Sequence, residues 1–108
     1  MIMKVWRGDH AEYVTVRLTV AKYINTDRLA IYITEASGEP YGMLTVNLPE
    51  YQLYITADEA FVDVNNIPFA EDFIKSNKIG ESVGVTVRSG FCKYPLYRFN
   101  RYVLEEEE

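Results

Sequence analysis

The chain has 108 residues, a length suited to one domain with a single modest hydrophobic core. Hydrophobic residues make up 48% and charged residues 25%, proportions that exclude a disordered body, and the net charge of −5 disfavours a duplex nucleic-acid partner. A single cysteine, Cys92, excludes an intramolecular disulfide, and no apolar run approaches the ~20 residues of a membrane helix.

In chain order, Met1 to Arg7 reads as a short strand through Ile2, Met3, Val5 and Trp6, with Gly8-Asp9-His10 as the following turn. The clearest strand runs from Tyr13 to Tyr23, where Val14, Val16, Leu18 and Val20 alternate with Thr15, Arg17 and Thr19. Asn25-Thr26-Asp27 carries turn chemistry, because short amide and carboxylate side chains bond to nearby backbone groups. Leu29 to Glu35 is the next strand and Tyr41 to Leu48 its antiparallel return, joined by a two-residue loop at Ser37-Gly38. Side-chain parity then sets Ile31 opposite Leu44 and Leu29 opposite Val46, with Tyr32 beside Met43 and Thr34 beside Tyr41 on the second face.

Pro49 ends that strand for want of an amide donor, and Tyr51 to Thr56 reads as a further strand. Asp58 to Asp63 is compatible with a helical turn or an extended stretch. Pro68 to Ser76 is a helix: proline at its start, an apolar stripe of Phe69, Phe73 and Ile74, acids early and lysines late. Ser82 to Arg88 alternates again, Ser89-Gly90 turns, and Phe91 to Val103 returns as the last strand. Pro95 marks this last strand as an edge, or as broken at that point. The expected fold class is α+β: an antiparallel sheet of about five or six strands with one short helix packed on one face. A single domain spans 1–104, and Glu105 to Glu108 form a disordered acidic tail.

The catalytic inventory is small. His10 and Cys92 are the only histidine and cysteine, the first in a polar turn and the second in a strand, so nothing in their spacing makes a nucleophile–base pair. The same two residues are too few for a structural zinc site. Asp63-Val64-Asn65-Asn66 superficially matches the start of a calcium loop, but Pro68 and Ile74 stand where its glycine and glutamate belong, so these residues read as a cap on the helix entry. Adjacent acids such as Asp58/Glu59 and Glu71/Asp72 do not share a face, and Gly80-Glu81-Ser82-Val83-Gly84 lacks the lysine of a phosphate loop. No catalytic, cofactor or metal residue is assigned, and the chain is read as non-enzymatic.

Charge is uneven along the chain. Residues 29–74 contain eight acids and no cation, whereas residues 82–104 carry Arg88, Lys93, Arg98 and Arg101 and no acid. That pattern implies a polarised surface unless the segments interleave. Arg88, Phe91, Lys93, Tyr94, Tyr97 and Arg98 mix rings and cations in the manner of a weak single-stranded nucleic-acid surface, or of an amphipathic edge strand. No basic segment followed by an apolar stretch opens the chain, so the expected location is the cytoplasm.

The hairpin Gly38-Glu39-Pro40-Tyr41-Gly42-Met43-Leu44-Thr45-Val46-Asn47-Leu48-Pro49, the segment Phe61-Val62-Asp63-Val64-Asn65-Asn66, and Ser89-Gly90-Phe91 with Tyr94-Pro95-Leu96-Tyr97 resemble a family of short proteins of unknown function carried by conjugative elements and prophages of gut bacteria. The resemblance covers residues 23–99 and implies a genetic context, with no activity and no functional residue attached. That context is one of accessory proteins, and the residues themselves supply two readings: contact with an unknown protein partner through the hairpin face of Tyr32, Tyr41 and Met43, or inhibition of a host defence or nucleic-acid enzyme by an acidic, phosphate-mimicking surface. Nucleic acid itself is the less favoured partner, and an exposed edge at Pro95 would allow a homodimer.

Overall fold

The fold, a computed structural model, describes residues 1–106. Its strands are β1 (Ile2–Arg7), β2 (His10–Lys22), β3 (Leu29–Glu35), β4 (Pro40–Met43), β5 (Thr45–Val46), β6 (Glu59–Val62), β7 (Gly80–Ser89) and β8 (Cys92–Phe99). A 3₁₀ helix covers Pro49–Tyr54, and two α-helices follow later, α1 (Ala70–Ser76) and α2 (Arg101–Glu106). The strands form two four-stranded antiparallel sheets, ordered β1-β2-β3-β4 and β5-β6-β8-β7, in place of the single sheet of five or six strands expected from the pattern.

The division arises at Leu44 and Thr45. Leu44 still donates its amide to the Ile31 carbonyl (2.9 Å), so those two residues meet as parity requires. One residue later the Ile31 amide is satisfied by the Thr45 hydroxyl (3.2 Å) and no longer by a strand carbonyl. Freed from β3, the backbone of Thr45 and Val46 pairs with Val62 and Phe61, so Val46 does not face Leu29. A strand that changes sheets in this way makes the corner of a two-sheet packing.

The β3–β4 hairpin also differs in detail. Gly38 adopts φ +98°, and Glu35 bonds to both Gly38 and Glu39, closing a three-residue loop in place of two. The extra residue is absorbed by a bulge: Tyr32 still pairs with Met43 and Ile33 with Gly42, but Thr34 pairs with Pro40 and not Tyr41.

Between the sheets lies the main core. Met3, Val5, Val16, Leu18, Leu29, Ile31 and Ile33 come from the first sheet, and Val62, Tyr97 and Phe99 from the second. Phe73 and Ile74 of α1 and Leu104 of α2 close it. A smaller cluster of Leu48, Phe61 and Leu96 fills the opposite face of the second sheet, covered by Tyr51 and Ile55. Tyr51 to Thr56 is therefore not a strand: Tyr51 and Ile55, four residues apart, point to this cluster, while Leu53 and Tyr54 face solvent.

The final strand stops at Phe99, and α2 replaces its expected continuation to Val103. The turn is made by Asn100, whose side-chain oxygen accepts from the amides of Tyr102 (3.1 Å) and Val103 (3.4 Å). Glu105 and Glu106 belong to α2, and the remainder of the acidic tail lies outside the described residues. β8 is a central strand, not an edge, yet Pro95 costs no ladder bond because pairing with β6 ends at Phe61 opposite Leu96. Beyond that point β8 has only β7 beside it. No helix among the described residues is long and apolar enough to cross a membrane.

Candidate functional site

Alternation along the first sheet sends one set of side chains into the core and the other outward, where Phe69 and the first turn of α1 border the β1 end. The register places Lys4 beside Tyr13 and Trp6 beside Ala11, and, on the far side of β2, Arg17 beside Thr34 and Thr19 beside Tyr32. Met43 follows Tyr32 on β4. Trp6, Tyr13 and Tyr32 are 53%, 71% and 43% exposed on this face: Trp6 and Tyr13 lie at its β1 end, and Tyr32, opposite Thr19, lies six residues farther along β2. Its strand side chains include Lys4 and Arg17 but no carboxylate, because Glu12 and Glu35 fall on the other phase of β2 and β3.

The β1 margin of the face is ordered by Phe69, which precedes α1. Its ring lies 5.9 Å from that of Trp6, and the Lys4 ammonium sits 4.9 Å from its centroid. A groove of about 420 Å³ runs beside it, lined by Ile2, Lys4, Tyr13, Phe69 and, at its acidic rim, Asp72.

Of the three residues expected to form an interaction surface, Tyr32 and Met43 are neighbours here, the first exposed and the second half-buried. Tyr41 is displaced by the bulge and packs against the main core. Sequence reasoning missed Trp6 and Tyr13. The available signal was phase: Tyr13 shares the polar alternation of Thr15, Arg17 and Thr19, and Trp6 is out of step with the buried Met3 and Val5.

The basic and aromatic segment is not assembled into one surface. Tyr97 is fully buried and donates its hydroxyl to Glu71 (2.6 Å). Tyr94 packs in the smaller cluster, and Arg98 is held between Glu59 (3.5 Å) and Glu81 (3.7 Å). Arg88 and Lys93 face one another at the end of the β7–β8 hairpin, with Phe91 fully exposed at its tip. A single ring is thus left where stacking on successive bases needs several.

Burial raises the phenol of Tyr97 above the ordinary tyrosine range, and the Glu71 hydrogen bond adds to it. Burial likewise raises Tyr23, against a lowering bond to Thr45, and Tyr94, where Cys92 adds to the effect. The ring nitrogens of His10 meet Asp9 (3.2 Å) and Glu12 (3.4 Å) on its own hairpin, remote in the topology from Cys92 on β8. Among the described residues no three His, Cys, Asp or Glu side chains converge as a metal site. The Asp63 carboxylate instead accepts from the Asn66 amide (3.2 Å), a local cap. Acidic and basic segments interleave: Glu35 pairs with Arg7 (2.6 Å), Asp58 with Arg101 (3.6 Å), and Glu59 with Arg98.

Comparisons with curated proteins and with solved structures yield no match. The family model of a domain of unknown function (DUF4313) matches residues 17–107, nearly the whole of the fold beyond β1, and the chain belongs to that family.

Proposed function

We propose that this chain is a non-enzymatic accessory protein of a mobile element, acting through protein–protein contact on the outer face of the β1–β4 sheet. The observation that carries the reading is the exposure of Trp6, Tyr13 and Tyr32 on one face of the sheet, with Met43 beside Tyr32. Tyr and Trp are the residues most enriched at interface hot spots, because they offer large contact area at small entropic cost. The mobile-element setting rests on the family resemblance. The reading as a phosphate-mimicking inhibitor is the weaker one, since three of the eight acids of residues 29–74, Glu35, Asp58 and Glu59, are matched by an arginine.

The test is affinity capture from the native host followed by mass spectrometry, with wild type compared to a Trp6→Ser, Tyr13→Ser, Tyr32→Ser variant and to a Phe91→Ser control. Exposed positions tolerate such changes, so the triple variant is expected to remain folded. The partner should be retained by wild type and control and lost from the triple variant. Equal retention by all three would refute the assignment of the face.

A further inference from the structure

A second site is independent of the aromatic face. A cleft of about 570 Å³ opens between the end of α1, the start of β7 and the end of β8, lined by Lys75, Lys78, Gly80, Glu81, Ser82, Arg98, Phe99 and Asn100. Its volume falls in the range of small-molecule sites. Three of its residues are cations, in a protein whose net charge is −5. Arg98 is already engaged by Glu59 and by Glu81, the only carboxylate in the lining. Lys75 and Lys78 make no ion pair among the described residues.

Lysines at a helix end ordinarily answer the unsatisfied carbonyls of its last turn. Here three of the four are already bonded: Phe73 by the backbone and side-chain amides of Asn77, Ile74 by the Ile79 amide, and Lys75 by the Lys78 amide. Lys78 itself sits at φ +54°, the left-handed position after a helix where glycine is strongly preferred. The chain therefore keeps a charged side chain at a strained backbone position. Such strain is typical of functional sites.

The remaining groups are donors. The Ser82 hydroxyl oxygen accepts from the Gly84 amide (3.1 Å), leaving its proton to donate. The Asn100 side-chain oxygen is spent on α2, leaving its amide nitrogen. Gly80 forms the floor: a Cβ there would lie 2.8 Å from the Arg98 carbonyl oxygen, so only glycine permits this close strand approach. Two ammonium groups, a hydroxyl and an amide line the cleft against one carboxylate, a donor excess that suits a multiply charged oxyanion such as phosphate, which lysine meets as a point charge. We propose that this cleft binds a phosphate-bearing ligand, with Lys75 and Lys78 as its principal contacts.

Thermal unfolding and calorimetric titration at low salt test the proposal, with inorganic phosphate, a nucleoside monophosphate, and an oligonucleotide carrying either a 5′-phosphate or a 5′-hydroxyl. Wild type should gain several degrees in Tm at ligand well above Kd, and Lys75→Gln with Lys78→Gln should abolish the gain, while Lys93→Gln leaves it intact. A response confined to phosphate and the monophosphate identifies a small-molecule ligand. A response to the 5′-phosphorylated strand, absent for the 5′-hydroxyl strand, identifies a nucleic-acid end. Lys78→Gly separates binding from folding: it relieves the left-handed strain, so it should melt no lower than wild type yet bind about tenfold more weakly. No shift with any probe, an equal shift in the double glutamine variant, or undiminished binding by Lys78→Gly would each overturn the proposal.

Discussion

Tyr97 shows how one side chain joins two elements. Its ring is fully buried in the main core on β8, and its hydroxyl reaches α1 to donate to Glu71 at 2.6 Å. A hydrogen bond to a charged acceptor contributes about 1.5–3 kcal/mol, so Tyr97→Phe should destabilise the fold by roughly that amount while preserving the packing. The same bond predicts a pH dependence. Burial, with Glu71, raises the folded-state phenol above its ordinary value, so the folded protein holds this proton more tightly than the unfolded chain. Its contribution is intact below the ordinary tyrosine range near pH 10 and is lost as the pH rises beyond it. Urea midpoints measured on either side of about pH 10 should fall for wild type. The fall should be shallower for Tyr97→Phe, and identical slopes would show that another phenol governs alkaline stability.

At the scale of elements, Thr45 decides the architecture. Its hydroxyl takes the Ile31 amide at 3.2 Å and meets the Tyr23 hydroxyl at 2.8 Å in a site that is 2% exposed. Thr45→Val keeps the shape and strands both groups, each at about 1–3 kcal/mol, so a loss of roughly 3 kcal/mol in denaturant unfolding is expected. Thr45→Ser, which keeps the oxygen, should lose much less; equal losses would place the effect in packing instead. The corner at Thr45 was not legible in the sequence, because Met43 to Val46 continues the apolar pattern of a single strand and only the arrival of β6 redirects it. The limits of pattern are visible elsewhere too. Tyr51, Leu53 and Ile55 alternate like a strand, yet Tyr51 and Ile55 also satisfy the spacing of a helical turn, and Pro49 at its start favours the latter. By contrast β3 follows from alternation to the residue, while β2 begins at His10, three residues before the alternation is clear, and α1 begins at Ala70, two residues after its proline; one face of each meets a core while the other meets water. The aromatic face was half legible for the same reason: phase assigns Tyr32 outward, but a bulge turns Tyr41 away.

For the whole molecule, the two chain ends are tied to the body by different means. At the start, the terminal ammonium donates to the Val16 carbonyl (2.9 Å), and the Asn77 side-chain amide reaches the Ile2 carbonyl (3.2 Å), linking β1 to α1. At the other end, α2 places Leu104 in the main core with no exposed area, while Arg101 pairs outward with Asp58 (3.6 Å) and Glu105 (3.5 Å). Exposed pairs of this kind contribute little, so the docking of α2 rests on Leu104. A six-residue helix has almost no stability of its own and exists because that side chain is buried. Leu104→Ala should therefore cost about 2–5 kcal/mol through lost transfer energy and a residual cavity. It should also release the amides of Tyr102 and Val103 to fast hydrogen exchange while those of β2 and β3 stay protected. Arg101→Ala, which removes the ion pairs and part of a half-buried stem, should cost less than Leu104→Ala. Were Leu104→Ala to unfold at the wild-type urea midpoint, α2 would be an appendage, and the core would close on α1 and the two sheets alone.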